Sequence, residues 1–144
     1  MAKVKEQKPI PLAKLEKKVA RGIRGIFFDI DDTLSLHGKI PAAAYAALWT
    51  AKKAGLRLIP VTGRPAGWVD HIARMWPVDG VVGENGAFYF HLDASRGRDG
   101  KLVRRFVQDA PTRAKNSARL KKLFEELRLR IPQLTLASDQ GYRE

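Results

Sequence analysis

Residues 27–34 read FFDIDDTL, an apolar run that breaks into three aspartates and a threonine. Asp29 and Asp31 stand two apart at the end of what reads as a β-strand, so their side chains start from the same side of the chain. Two carboxylates this close repel each other, and desolvating them is costly unless a cation or a shared proton compensates. A hard divalent cation such as Mg2+ suits that role, because it takes oxygen ligands and leaves positions for phosphate oxygens and water. One carboxylate can then attack phosphorus, while its partner protonates the leaving oxygen and later deprotonates water. Taken alone, the spacing fits a plainer reading as well: an acidic loop after a strand, with Asp32 or Thr33 capping a turn.

A second group follows thirty residues on. Thr62, Gly63 and Arg64 end the apolar run LRLIPV at residues 56–61. A hydroxyl can donate to a phosphate, a glycine lets backbone N–H groups approach it, and a guanidinium brings charge. The same residues also fit a strand-to-helix turn in which Thr62 caps and Gly63 merely permits the backbone.

The elements around these residues would set them side by side. Residues 23–30, IRGIFFDI, have the continuous apolar character of a central parallel strand covered on both faces. Pro41 and Gly55 bracket a helix whose apolar face carries Ala44, Tyr45, Leu48 and Trp49. With residues 56–61 as the next strand, this is a right-handed βαβ unit, and ligands of such open sheets sit at the carboxyl ends of the strands. A helix over 67–75 and a short strand in VDGVV, residues 78–82, continue the pattern. After Asn85 it changes. Residues 85–91 and 101–107 read as a hairpin across the turn-rich LDASRGRDG. Residues 112–129 read as an amphipathic helix with Leu120, Leu123, Phe124 and Leu127 as its buried stripe, and QLTLA at 133–137 alternates like a further strand. The three tryptophans, Trp49, Trp68 and Trp76, read as core or sheet-covering residues.

Composition narrows the classes. A chain of 144 residues with 44% hydrophobic and 29% charged residues suits one globular domain. The absence of cysteine excludes disulfides, thiolate metal sites and cysteine catalysis. No apolar run is long enough for a bilayer span, so we expect a cytoplasmic protein without a membrane partner. The net charge of +12 is divided unevenly, with +6 on residues 1–24, zero on 25–90 and +6 on 91–144. The chemically suggestive residues therefore lie in the neutral third. The lysine-rich residues 1–22 read as a mobile basic arm; they lack aromatic interleaving and a binding motif, so nucleic-acid binding is not expected. The cations of 91–144 are spread around the expected helix, as on a solvated face.

FFDIDDTL, LRLIPVTGR and VVGENGAFYF, in this order, resemble the haloacid dehalogenase (HAD) superfamily of phosphatases. Within it they are similar to the branch of Cof-type sugar phosphatases and sucrose-phosphate and trehalose-phosphate phosphatases, which insert an α/β cap after the third strand. The resemblance implies an α/β fold: a HAD-like Rossmann-type parallel sheet at residues 23–84, then a partial α/β cap of hairpin plus helix at 85–144. It implies Asp29 as the nucleophile that forms an aspartyl-phosphate and as a magnesium ligand. Asp31 would be the general acid/base, with its backbone carbonyl on the metal. Thr62 and the N–H of Gly63 would hold the transferring phosphoryl group, Thr33 would order the loop, and Arg64 and Asn85 would line the substrate entrance. The substrate would be a small phosphorylated metabolite such as a sugar.

The same resemblance leads us to expect, after the cap, a lysine and a Gly-Asp-x-x-x-Asp-like stretch that are not in this sequence; Asp139, in ASDQGYRE, falls in a cap-like context. The chain reads as the first half of a longer protein cut inside the cap. Alone it should be inactive or nearly so, with an exposed sheet edge open to self-association. A non-catalytic HAD-like binding protein is the alternative.

Overall fold

In the computed structural model, residues 11–143 are described, so residues 1–10 of the basic arm lie outside the described residues. Of the arm, residues 12–14 form a single 3-10 turn and Lys17–Gly22 a short helix, α1, without a buried residue.

Strand β1 (Gly25–Phe28) and strand β2 (Arg57–Pro60) pair in parallel, from Gly25 opposite Arg57 to Phe28 opposite Pro60. Helix α2 (Ala42–Lys53) crosses between them, starting after Pro41 and stopping before Gly55, whose φ of +85° turns the chain back. Helix α3 (Ala66–Met75) leads to β3 (Val81–Gly83), which adjoins the end of β2 through a parallel bridge from Val61 to Val82. Strands β4 (Phe88–Asp93) and β5 (Lys101–Phe106) then add antiparallel, in the order β3-β4-β5. Both the βαβ unit and the hairpin form as the sequence pattern implies. The hairpin hydrogen-bonds to β3, so pairing runs across residues 84 and 85.

The core is built on α3. Ala66, Val69, Ile72 and Ala73 recur at three- and four-residue steps and present one face to Val81, Phe88 and Phe90, all buried. Burying each large side chain contributes about 1.5–3 kcal/mol. Gly83 is obligatory here, since a Cβ on it would collide with the Phe88 ring and with Val69.

Several expectations are corrected. Strand β1 spans 25–28 rather than 23–30 and is not covered on both faces: Phe27 is 71% and Ile26 40% exposed. Among the described residues β1 has a partner only in β2, so it is an edge. Helix α4 (Ala110–Arg130) starts where Asp109 accepts a hydrogen bond from the Thr112 N–H at 2.8 Å, but it buries no residue. Its Leu120, Leu123 and Leu127 are exposed, and within the expected stripe Phe124 alone is half-buried. QLTLA forms no strand. Trp49 and Trp68 stand half out in solvent, leaving Trp76 to pack against the core.

Candidate active site

Because β1 and β2 are parallel and in register, Asp29 and Thr62 leave the sheet at the same end. The Val61 N–H donates to the Phe28 carbonyl at 2.8 Å, extending the pairing to the first aspartate. Beyond it the chain folds into an irregular turn over Ile30–Leu34. Ile30 is buried as an anchor, Asp32 takes φ 54°, and the Ser35 N–H closes the turn on the Ile30 carbonyl at 2.8 Å. That backbone bond, and not Thr33, orders the loop; the Thr33 side chain is exposed. Asp29 is exposed and Asp31 half-buried.

The second loop is held by the first residue of its motif. Thr62 is only 2% exposed, and its hydroxyl oxygen accepts the Arg64 N–H at 3.1 Å. An oxygen fixed in this way as acceptor keeps its own proton for another partner. The capping reading of Thr62 is thus true of the fold, and it leaves the hydroxyl able to donate.

A third loop locks onto the second. Glu84 and Asn85 both take left-handed backbone conformations, φ 46° and 56°. Asparagine tolerates this better than glutamate. The turn aims two N–H groups at the neighbouring loop, Glu84 to the Arg64 carbonyl at 3.2 Å and Asn85 to the Thr62 carbonyl at 3.1 Å. The Asn85 amide consequently lies over Gly63, 3.2 Å from where a Cβ would stand.

The Arg64 side chain is turned toward Asp31 and Trp68. Its Nη2 and Nε donate to the two oxygens of Asp31 at 2.5 and 3.1 Å, and its guanidinium lies 4.7 Å from the Trp68 ring centroid. Hydrogen bonding to Asp31 raises the Arg64 pKa; partial burial opposes this, and the charges of Asp31 and Asp139 add to it. Asp139 itself pairs with Arg143 at 3.0 Å, and Tyr142 packs against Gly67 at the start of α3. Trp68 had no signal beyond its four-residue step from Arg64.

Asp29, Asp31, Thr62, Gly63, Arg64 and Asn85 are therefore carried on three loops that meet at one end of the sheet. Oxygens carried at this end include the Asp29 carboxylate and the Asp31 carbonyl. Both are hard oxygens, as Mg2+ prefers, and Mg2+ is commonly held by one or two carboxylates with phosphate and water completing its shell. Among the described residues no group of three His, Cys, Asp or Glu could hold a metal.

Residues 26–99, just over half of the chain, match the family model of the haloacid dehalogenase-like hydrolases. The chain belongs to this family. Among solved HAD structures, a phosphatase of the superfamily from Bacteroides thetaiotaomicron is 26% identical, with a TM-score of 0.51 over 78% of this chain and 40% of that one. A Thermoplasma acidophilum protein shares the fold at 23% identity and a TM-score of 0.59, over 85% of this chain and 48% of that one. A HAD subclass IIB sugar phosphatase is 33% identical over 47% of this chain and 28% of that one, with a TM-score of 0.41. The chain thus spans less than half the length of each of these proteins. No curated protein matches it. No helix of the described residues is long and apolar enough to cross a membrane.

Proposed function

We propose that this HAD-like chain acts on phosphomonoesters, with a phosphorylated sugar or similar small metabolite as substrate and Mg2+ as cofactor. The observation that carries the reading is the convergence of the Asp29, Thr62 and Asn85 loops at one sheet end, each at its place in the family's order of motifs. Asp29 is the nucleophile: its carboxylate oxygen forms the bond to phosphorus as the ester oxygen leaves. Asp31 donates the proton that oxygen needs and afterwards takes one from the water that releases phosphate. The Thr62 hydroxyl and the Gly63 N–H hold the phosphoryl oxygens. The Asp29 carboxylate and the Asp31 carbonyl would hold Mg2+, whose charge would let an anionic nucleophile approach an anionic phosphate. Arg64 forks onto Asp31 as the carboxylate, and one of its two hydrogen bonds must open for Asp31 to carry the proton it donates. Residues 85–144 serve as a cap-like module over a core of 23–84, on the cytoplasmic side of any membrane.

With two oxygen donors and no third carboxylate or histidine grouped with them among the described residues, the 144-residue chain by itself turns over slowly or not at all. Losing one electrostatic contact of this kind typically costs about 10²-fold or more in rate. That donor count also favours a second reading, a HAD-like protein that binds phosphate or a partner without turnover. Release of inorganic phosphate from sugar phosphates or p-nitrophenyl phosphate, measured with and without Mg2+, tests the two. Slow, magnesium-dependent release abolished by Asp29→Asn supports the enzyme. Binding of phosphate with no release supports the second reading, and release that survives Asp29→Asn refutes the role given to Asp29.

A further inference from the structure

The hairpin of β4 and β5 buries one face and leaves the other open. Phe88 and Phe90 pack inward with the buried residues of α3, while Tyr89 and His91, which alternate with them, stand on the outer face. The Tyr89 and His91 rings lie 6.0 Å apart and within 17° of parallel, and Tyr89 keeps 46% of its surface exposed. Across the ladder Arg105 is opposite Tyr89, Val103 opposite His91 and Lys101 opposite Asp93. The aromatic residues that the basic arm lacks are thus present on this sheet face, interleaved with cations.

The charge of the hairpin is positive. Residues 88–106 carry five Lys/Arg against two Asp. Of the five, Arg104 belongs to the inner face, where it donates to Asp70 at 3.0 Å and lies over the Phe90 ring. Arg105 and Lys101 are exposed on the outer face, and Arg96 and Arg98 are exposed in the connecting loop. Asp93, at the end of this face, is occupied: it accepts from the Ser95 N–H and hydroxyl and pairs with Arg96 at 2.9 Å. An exposed ring takes a flat π-surface, and cations spaced along a strand take a row of anions. A chain of unpaired bases joined by phosphates offers both, whereas a duplex hides its base faces in the stack. The net charge of +12 on the whole chain adds attraction at longer range.

We propose that the outer face of β4 and β5 binds single-stranded nucleic acid, with a base stacked on Tyr89 beside His91 and the adjoining phosphates held by Arg105 and Lys101. This function is separate from phosphomonoester cleavage and does not depend on the Asp29 site.

The test is fluorescence anisotropy of the 144-residue chain across a salt series, with labelled oligo-dT and oligo-U that carry no terminal phosphomonoester. An abasic strand of equal length and a duplex serve as comparisons. Both single strands should bind several-fold more tightly than the abasic strand or the duplex, and the tighter of the two identifies the sugar. Tyr89→Ala should weaken binding about tenfold and abolish the preference over the abasic strand, while Tyr89→Phe, which keeps the ring, should match the parent. Arg105→Ala and Lys101→Ala should each lower the salt dependence by about one phosphate contact. Abasic and duplex strands that bind as tightly as the unpaired bases, or a Tyr89→Ala variant with parental affinity, would show that charge alone draws the strand and would overturn the proposal. Absence of binding even at about 50 mM salt would overturn it as well. The abasic comparison reads stacking in the unsubstituted chain, so it holds whatever Tyr89→Ala does to the hairpin.

Discussion

The Arg64 guanidinium forks onto both carboxylate oxygens of Asp31 and so ties together two loops 33 residues apart in sequence. The β1 and β2 loops of the site thereby share a charged clasp. Its side chains are 34% and 45% exposed, so it contributes at most about 1 kcal/mol to stability. Its consequence is geometric: the Asp31 carboxylate is held in one orientation.

Arg64→Ala should therefore lower the melting temperature only slightly while weakening Mg2+-dependent binding of phosphate analogues several-fold. Arg64→Lys keeps the charge and loses the fork, so it should resemble the alanine variant more than the parent. A lysine variant that matches the parent in titration calorimetry with a phosphate analogue would show that charge, and not the planar fork, is what matters.

Gly83→Ala tests the core beneath the site. The added methyl group would meet the Phe88 ring and Val69, in a region where both side chains are buried. Overpacking of this kind costs about 1–3 kcal/mol, readable as a lower urea midpoint with an unchanged slope.

Asp79 joins α2 to β2, accepting from Lys52 Nζ at 2.5 Å and from the Leu58 N–H at 2.8 Å. Partial burial alone would push its carboxyl up, but the Lys52 and Leu58 hydrogen bonds outweigh this and hold it below its ordinary value. A carboxyl depressed in the folded state stabilises the fold fully above the ordinary carboxylate range, and that contribution disappears as pH falls through the folded value. Asp79→Asn should lose about 1 kcal/mol near neutral pH, and the difference from the parent should vanish in acid; urea denaturation across pH measures both.

The open edge of β1, with Phe27 71% exposed, is a template for a second copy of the chain. Sedimentation velocity should show association that grows with concentration and that Phe27→Asp reduces.

The placement of the candidate residues was largely legible because they lie at strand ends, and strand ends follow from apolar runs and their breaks. FFDIDDTL and LRLIPVTGR placed Asp29 and Thr62 at one sheet end through nothing more than βαβ geometry. The clasp was not legible: Arg64 and Asp31 are adjacent only because of the register Phe28 to Pro60 and the left-handed turn at Asp32. Nor was the exposure of α4 and β1. Periodicity identifies an apolar stripe or strand, but it does not say whether anything covers it. QLTLA alternates as a strand would, and among the described residues it pairs with no neighbouring edge. Trp68 reads as core by type, yet it stands half-exposed with its ring beside Arg64.

The central claim is that Asp29 receives a phosphoryl group with Mg2+ beside it. Beryllium fluoride mimics a phosphoryl group on a carboxylate, and its 19F NMR signal reports the bound form without requiring turnover. The account predicts a bound signal that appears only with Mg2+ and is lost in Asp29→Asn. A bound signal that persists in Asp29→Asn, or no bound signal from the folded chain at saturating beryllium fluoride and Mg2+, would contradict it.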